Sequence, residues 1–389
     1  MHLLISSPLD IPTLQAELGL VADEPGAVAV GHGGHPVTEL AIALAETVDR
    51  LDLVTLDPGL DRPLTLRRDN VRAFVGPYRP RARSRALDLF AAERGFVANV
   101  IRQQRPDVVS AHWTYEYALG AIEASAPTLI TIHDWSPAIL RYQTDRYRAV
   151  RLTMQMLCFR RGRHFAAVSP YIAHKAERIV RQPVPVLPNG LGTPWLNADA
   201  AMPSGNLVVA ANNGFGRLKN VTALLKAWPD VLRVVPGAHL VLTGDGYGQG
   251  GQAAAWAASR GLDKGVDFRG PVSRSDLQHL MSGARLFVHP SREESFGMVV
   301  LEAMSLGVPV VGGARSGAVP WLLNGGSGLA VDVRDPQAIA LATVSLLEDQ
   351  QRARRIGERA RTAARQRFSV ANVRDLYLQR LQEIAGRRS

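Results

Sequence analysis

A chain of 389 residues is too long for one ordinary hydrophobic core and suits two domains of ~150–200 residues each. With 46% hydrophobic and 21% charged residues and no run of ~18 apolar residues, it reads as a soluble globular protein without a membrane-spanning helix. The single cysteine, Cys158, excludes an internal disulfide and a cysteine-ligated zinc cluster.

The net charge of +10 is carried almost wholly by arginine, in stretches from Arg62 to Arg105 (with Arg79, Arg81, Arg83 and Arg85) and from Arg352 to Arg367. Such stretches are either solvated helix faces or sites of attraction to anionic lipid, saccharide or phosphate. No nucleic-acid reader motif accompanies them. With no secretory signal evident, the expected location is cytoplasmic, with peripheral association at the inner face of an anionic membrane as an open option.

In chain order, short β-branched runs alternate with amphipathic stretches, the pattern of α/β units on parallel sheets. The first half predicts strands at 3–6, 51–56, 71–75, 108–111, 128–132, 165–168 and 184–187, with helices between them, among them 37–47, 84–104 and 171–181. Residues 9–25 separate the first strand from the glycine cluster Gly31–Gly34 and read as an insertion. From 183 to 204 the alternation stops: Pro183, Pro185, Pro188, Pro194 and Pro203, with Asn189-Gly190, read as a linker. It resumes with strands at 207–211, 239–243, 266–269, 286–289, 308–311 and 328–331 and helices at 221–234, 252–260, 275–282, 297–306, 336–347 and 350–368. A last helix, 370–385, follows Ser369, a suitable N-cap. Two similar halves around a proline-rich hinge imply a cleft, and ligands of parallel sheets gather beyond the carboxyl ends of the strands.

The most informative stretch runs from Leu286 to Met304. A buried strand ends at Pro290, a polar loop follows, and a helix opens near Phe296. Unpaired amides and the partial positive charge of a helix start suit a diphosphate. Gly297 allows close approach of backbone to such a ligand. Glu294 and Glu302, eight residues apart, would lie ~12 Å apart along a helix axis. That is about the span from a sugar ring across a diphosphate to a ribose, and carboxylates accept hydrogen bonds from hydroxyls at both ends. Glu302 interrupts the apolar run Met298–Met304, so it is expected to be buried and to need a partner.

The stretch from Pro290-Ser291 to Leu301-Glu302-Ala303-Met304-Ser305-Leu306-Gly307-Val308-Pro309-Val310-Val311 closely resembles glycosyltransferase family 4. The similarity extends through Gly244-Asp245-Gly246, Val266–Gly270 and Gly328-Leu329, and more weakly through His112-Trp113, Thr131-Ile132-His133-Asp134, Val168-Ser169 and Pro188-Asn189-Gly190. The resemblance implies the α/β GT-B fold, two Rossmann-like domains with parallel sheets facing across a cleft. Residues 1–188 would be the acceptor domain, with 370–389 packing back on it. Residues 189–204 would be the linker and 205–369 the nucleotide-sugar donor domain. It further implies that Glu294 holds donor-sugar hydroxyls and Glu302 the ribose, and that Ser295, Phe296, Gly297, Met298 and Val299 meet sugar and phosphate. Gly244 would join the donor site, and the loop Arg269–Val272 would lie by the nucleobase.

The loop 212–220 carries Arg217 and Lys219, two cations able to neutralise a departing diphosphate. The family usually places an arginine five residues before the lysine; here that position is Gly214, and Arg217 stands in a shortened loop instead. Gly33 and Gly34, before a helix, match the family's glycine pair near donor phosphate and acceptor. His133, at a strand end, would contact the transferred sugar or orient the acceptor. His112, Trp113 and Asp134 are candidates for the acceptor pocket. No D-x-D motif occurs, so helix amides, Lys219 and Arg217 would act in place of a divalent ion, with no cofactor beyond the nucleotide-sugar co-substrate. The implied reaction is transfer of a hexose-type sugar to a hydroxyl of a glycan, lipid-linked or small-molecule acceptor, with retention of configuration. Glu294 would position and stabilise charge rather than act as the covalent nucleophile of a retaining glycosidase. A non-catalytic sugar-nucleotide-binding protein and an epimerase or phosphorylase of the same fold remain the alternatives.

Overall fold

Aliphatic and β-branched runs form fourteen strands in two sheets among the described residues of the computed structural model, which describes residues 1–24, 26–203 and 205–386. Pro25 and Ser204, which end the expected insertion and linker, lie outside the described residues, as do residues 387–389. The chain divides into two compact units, Met1–Gly190 joined by the stretch from Val370, and Leu191–Ser369.

The first unit holds β1 (His2–Ser6), β2 (Val21–Ala22), β3 (Arg50–Asp57), β4 (Leu64–Arg68), β5 (Val71–Pro77), β6 (Val108–His112), β7 (Thr128–Ile132) and β8 (His164–Ala167). Their order in the sheet is β2-β4-β5-β3-β1-β6-β7-β8, parallel except where β4 pairs with β2 and β5. Strands β6 and β7 are buried along their whole length, as a parallel sheet covered on both faces requires. On one face, Leu3, Ile5 and Leu53 pack with Val373, Tyr377, Leu381 and Ile384 of the helix Val370–Ala385. Burying those four side chains contributes on the order of 6–12 kcal/mol, comparable to the whole stability of a domain, so this helix is integral to the first unit.

The second unit holds β9 (Asn206–Ala211), β10 (Ala238–Thr243), β11 (Val266–Gly270), β12 (Leu286–His289), β13 (Val310–Gly313) and β14 (Leu329–Val331). All are parallel, in the order β11-β10-β9-β12-β13-β14. The winding reverses between β9 and β12, and between β1 and β6 in the first unit, so each sheet has a switch point where the loops diverge and leave a crevice.

Four local features depart from the sequence reading. Residues 9–25 contain a helix, Ile11–Leu18, capped by Asp10, whose carboxylate accepts from the Thr13 amide at 3.3 Å. Strand β4 turns tightly into β5 through Asp69, which is left-handed at φ 50°. The expected helix 84–104 is two helices, Ala82–Leu87 and Ala91–Gln104, because Leu89 and Phe90 are left-handed and the Phe90 ring is fully buried. The expected strand 184–187 is reduced to a single bridge between Ala167 and Val186, since Pro183 and Pro185 have no amide hydrogens to extend the ladder.

Candidate functional site

At the β9/β12 switch point two loops are tied together by side chains. Asn220 is buried and left-handed, and its amide donates to the carbonyls of Pro290 at 3.0 Å and Val333 at 2.7 Å. Its carbonyl oxygen accepts from Arg292 Nε at 3.0 Å, and the Arg292 amide donates to the Leu218 carbonyl at 2.8 Å. Ser291 Oγ donates to Asn212 Oδ1 at 3.1 Å. These bonds hold the loop after β9 against the loop after β12, and Lys219 Nζ thereby donates to Glu294 Oε1 at 2.7 Å. The sequence separation of these two residues is 75, and the switch point closes it.

Glu294 lies in the loop, four residues before the helix Met298–Ser305. The axial-rise estimate of the Glu294–Glu302 separation therefore applies only from Met298 onward. The Glu294 backbone is fixed too, its carbonyl accepting from the Ala318 amide at 2.9 Å. Burial alone would raise its carboxyl, but Lys219 and a 3.2 Å contact from His289 Nε2 outweigh that and hold it well below the usual carboxylate range. His289, fully buried at the end of β12, was not singled out in the sequence. The signal was present, a polar residue closing an apolar strand, as at His112.

Gly297 caps the helix at φ 102° and ψ 60°, a conformation side-chain-bearing residues avoid. Phe296 anchors the turn, buried edge-on against Trp321 and Phe368. This leaves the amides of Met298 and Val299 in the first turn without intrahelical partners. One turn on, Glu302 is buried, and Arg274 NH2 lies 3.2 Å from its carboxylate. Burial raises its carboxyl and Arg274 opposes the shift. The expected partner of this acid is thus an arginine at the start of the helix Arg274–Ser282, unremarked in the sequence. Ser295 is half-buried in the same loop.

The remaining second-unit candidates flank this site. The Gly244 amide donates to the Gly270 carbonyl at 2.8 Å, and the Gly214 amide donates to the Asp245 carbonyl at 2.9 Å. Tyr247 donates to the Gly214 carbonyl at 2.9 Å, so the loops after β9, β10 and β11 share one edge. Arg269 is exposed and paired with Asp267 at 2.7 Å, and Val272 is half-buried just beyond it. Arg217 is exposed and makes no ion pair or hydrogen bond among the described residues.

In the first unit, buried Asp57 at the end of β3 organises the glycine loop. Its Oδ2 accepts from the amides of Val30 at 2.6 Å and Gly31 at 2.8 Å, and its Oδ1 from Gly59 at 2.6 Å. Gly34 caps the helix His35–Ala45 at φ 86°, and a Cβ there would sit 2.0 Å from the Pro8 carbonyl oxygen. Gly33 is exposed beside it.

The histidines form a pair across β6 and β7. His133 Nε2 lies 2.9 Å from His112 Nδ1, and His112 Nε2 lies 3.1 Å from Ser110 Oγ. Trp113 stacks on His133 with centroids 4.1 Å apart, and Tyr377 stacks on His112 at 5.7 Å. Burial pushes His112 down to about 3 and His133 well below its ordinary value, so both rings are neutral at physiological pH. Asp134, next in the chain, accepts from the Tyr115 hydroxyl at 2.7 Å, and burial pushes its carboxyl up to about 6.

Much of the first arginine stretch is engaged internally. Arg79 pairs with Asp88 and Glu93 at 2.8 and 2.6 Å, and Arg85 is buried over the Tyr78 ring at 4.1 Å. Arg81 and Arg83 are exposed. No helix of the described residues is long and apolar enough to cross a membrane.

The profile described as "Glycosyl transferases group 1" matches residues 199–363, and that described as "Glycosyltransferase Family 4" matches residues 36–193. A D-inositol 3-phosphate glycosyltransferase of Corynebacterium kroppenstedtii is 34% identical over 172 residues, covering 42% of this chain and 38% of that protein. An N-acetyl-alpha-D-glucosaminyl L-malate synthase of Bacillus anthracis is 30% identical over 166 residues, 42% of each chain. A glycogen synthase of Mycobacterium tuberculosis is 35% identical over 157 residues, 40% of this chain and 37% of that protein. Each of these matches therefore spans less than half of the relative. Among solved structures, sucrose-phosphate synthase from Thermosynechococcus elongatus superposes with a TM-score of 0.77 at 20% identity, over 100% of this chain and 99% of that one. Anabaena HepE in complex with UDP gives 0.68 at 21% identity, over 98% and 100%. The two profiles together span most of the sequence, the fold is GT-B, and the chain belongs to glycosyltransferase family 4.

Proposed function

We propose that the protein is a retaining glycosyltransferase that moves a hexose-type sugar from a nucleotide-diphosphate donor to a hydroxyl acceptor. The observation that carries this reading is the meeting of Lys219 and Glu294 at the β9/β12 switch point, four residues before the helix that carries buried Glu302. Family membership supports it, as do the inositol-phosphate glycosyltransferase and glycogen synthase names of relatives.

In this reading the diphosphate rests on the amides of Met298 and Val299. Lys219, with three donors on its ammonium, serves phosphate and Glu294 together, and exposed Arg217 adds a second cation. Glu294, held ionised by Lys219 and His289, accepts from donor-sugar hydroxyls. Glu302 accepts from the ribose, drawing on a carboxylate that Arg274 alone does not saturate. Gly244 and the turn Arg269–Val272 border the base. The bond from the sugar's anomeric carbon to the phosphate oxygen breaks as the acceptor oxygen bonds that carbon from the same face. The acceptor's proton passes to the departing phosphate oxygen, and the cations stabilise the growing charge. In the first unit, neutral His133 would help orient the acceptor, with the Gly33-Gly34 loop as a further candidate there. No divalent ion is required.

The test is transfer from radiolabelled UDP- and GDP-hexoses to a mixture of sugar and polyol acceptors, with and without EDTA. NMR of the product reports its anomeric configuration. A retained anomer formed equally well in EDTA is expected. An inverted product, or activity abolished by EDTA and restored by magnesium, would overturn the corresponding part, and binding without turnover would favour the non-catalytic alternative.

A further inference from the structure

Within the second unit a cavity of about 590 Å³ opens between the segment 200–203, the turn at Gly307 and the helix Gln350–Phe368. Arg285 precedes β12 and Pro309 precedes β13, and both line the cavity, so it lies at the amino edge of the sheet. Lys219 meets Glu294 at the carboxyl edge, a strand length (about 13 Å) away. The volume falls within the range of small-molecule pockets, roughly 300–1,000 Å³. The wall formed by 200–203 is pinned: the Ala201 amide donates to the Leu306 carbonyl at 2.7 Å, and the Met202 amide to the Ser282 carbonyl at 3.0 Å.

The lining combines apolar surface with uncompensated cations. Ala201, Met202, Pro203, Ala284, Pro309 and Ala353 supply the apolar part, and Met202 stands 83% exposed, a large apolar side chain left in water. Three arginines and one glutamate supply the charge. Glu358 pairs with Arg354 at 3.2 Å, which leaves Arg285 and Arg361 without a carboxylate. The Nε atoms of both are buried and have no hydrogen-bond partner among the described residues. A terminal nitrogen of Arg361 donates to the Ala198 carbonyl at 2.6 Å. Burial and the like charge of Arg365 hold the Arg361 guanidinium below its ordinary value, with Asp199 opposing them. A buried, charged N–H without an acceptor is costly, and an anion in the cavity would supply both the acceptor and the countercharge. An apolar chain attached to that anion would cover Met202 and Pro203.

We propose that this cavity binds a small amphipathic anion, a single carboxylate or phosphate head on a short apolar chain, at a site separate from the nucleotide site. An inorganic anion would leave the apolar lining bare, and a neutral alcohol would leave the two guanidinium groups without countercharge. The helix Met298–Ser305 opens at the amides assigned to the nucleotide and ends beside Leu306 and Gly307 at the cavity, so one rigid element borders both sites. The ligand chemistry is independent of what the carboxyl edge binds.

The experiment is a ligand-observed NMR titration of the full chain with octanoate, octyl phosphate, butanoate, 1-octanol and inorganic phosphate. Octanoate and octyl phosphate should bind wild type, and the other three should bind at least about tenfold more weakly. For butanoate this follows from chain length, each buried methylene being worth about fourfold, or ~0.8 kcal/mol. Arg285→Gln and Arg361→Gln should each weaken octanoate about tenfold and leave 1-octanol as in wild type. Met202→Ser should weaken octanoate and 1-octanol alike, and circular dichroism reports that each variant is folded. Octanoate affinity unchanged in the folded arginine variants, 1-octanol bound as tightly as octanoate by wild type, or octanoate displaced by UDP would overturn the proposal. So would phosphatidylglycerol vesicles that pellet wild type but not Arg285→Gln while free octanoate does not bind, which would assign these arginines to a bilayer surface.

Discussion

Three carboxyl groups illustrate how surroundings decide charge in this protein. Glu294 lies beside Lys219 and His289 and stays ionised under any ordinary condition. Glu302 has one arginine against deep burial and is raised. Asp134 is pushed up to about 6 by burial, with Tyr115 and Arg151 opposing the shift and Glu116 adding to it. The sign follows from the raised value. Asp134 is charged at pH 7 and gains a proton as pH falls through 6, so it loses the hydrogen-bond acceptor capacity that a place in the acceptor pocket requires. The Michaelis constant for the acceptor should rise about tenfold between pH 7 and pH 5 in wild type and stay flat in Asp134→Asn. A rise that persists unchanged in the variant would assign the titration to another group.

Strand ends and the loops behind them show which elements could be read from sequence. His112, His133 and His289 each close an apolar strand at the carboxyl edge, and a reading by strand position finds all three, although only the first two were singled out. Lys219 and Glu302 were legible because lysine is scarce and an acid in an apolar run is costly. Their partners were not. Arg274 sits in an ordinary charged helix start, and the Lys219–Glu294 contact spans 75 residues that only the sheet winding brings together. Asp57 was also hidden, since one aspartate at a strand end carries no local sign that the distant amides of Val30 and Gly31 converge on it. Asp57→Asn turns part of that acceptor into a donor facing amides and should cost about 2 kcal/mol of stability. Loosening of the glycine loop should lower kcat while nucleotide affinity, assigned to the other unit, stays as in wild type. An Asn variant with full turnover would remove the loop from the reaction.

At the scale of the whole molecule, alternation of strand and helix gave the fold class, because parallel sheets buried on both faces leave near-continuous apolar runs in the sequence. What escaped was irregular: the antiparallel β2 and β4, the short helix Ile11–Leu18 and the break at Leu89–Phe90. The net charge of +10 overstates the free cations, since Arg79 and Arg85 are bound internally. Calorimetric titration of UDP and GDP into wild type, Lys219→Ala and Glu302→Ala tests most directly where the nucleotide sits. One of the two nucleotides should bind wild type, and each substitution should weaken it at least about tenfold, the loss of one charge-assisted contact. Unchanged affinity in both variants, each still folded by circular dichroism, would contradict a nucleotide site at the β9/β12 edge.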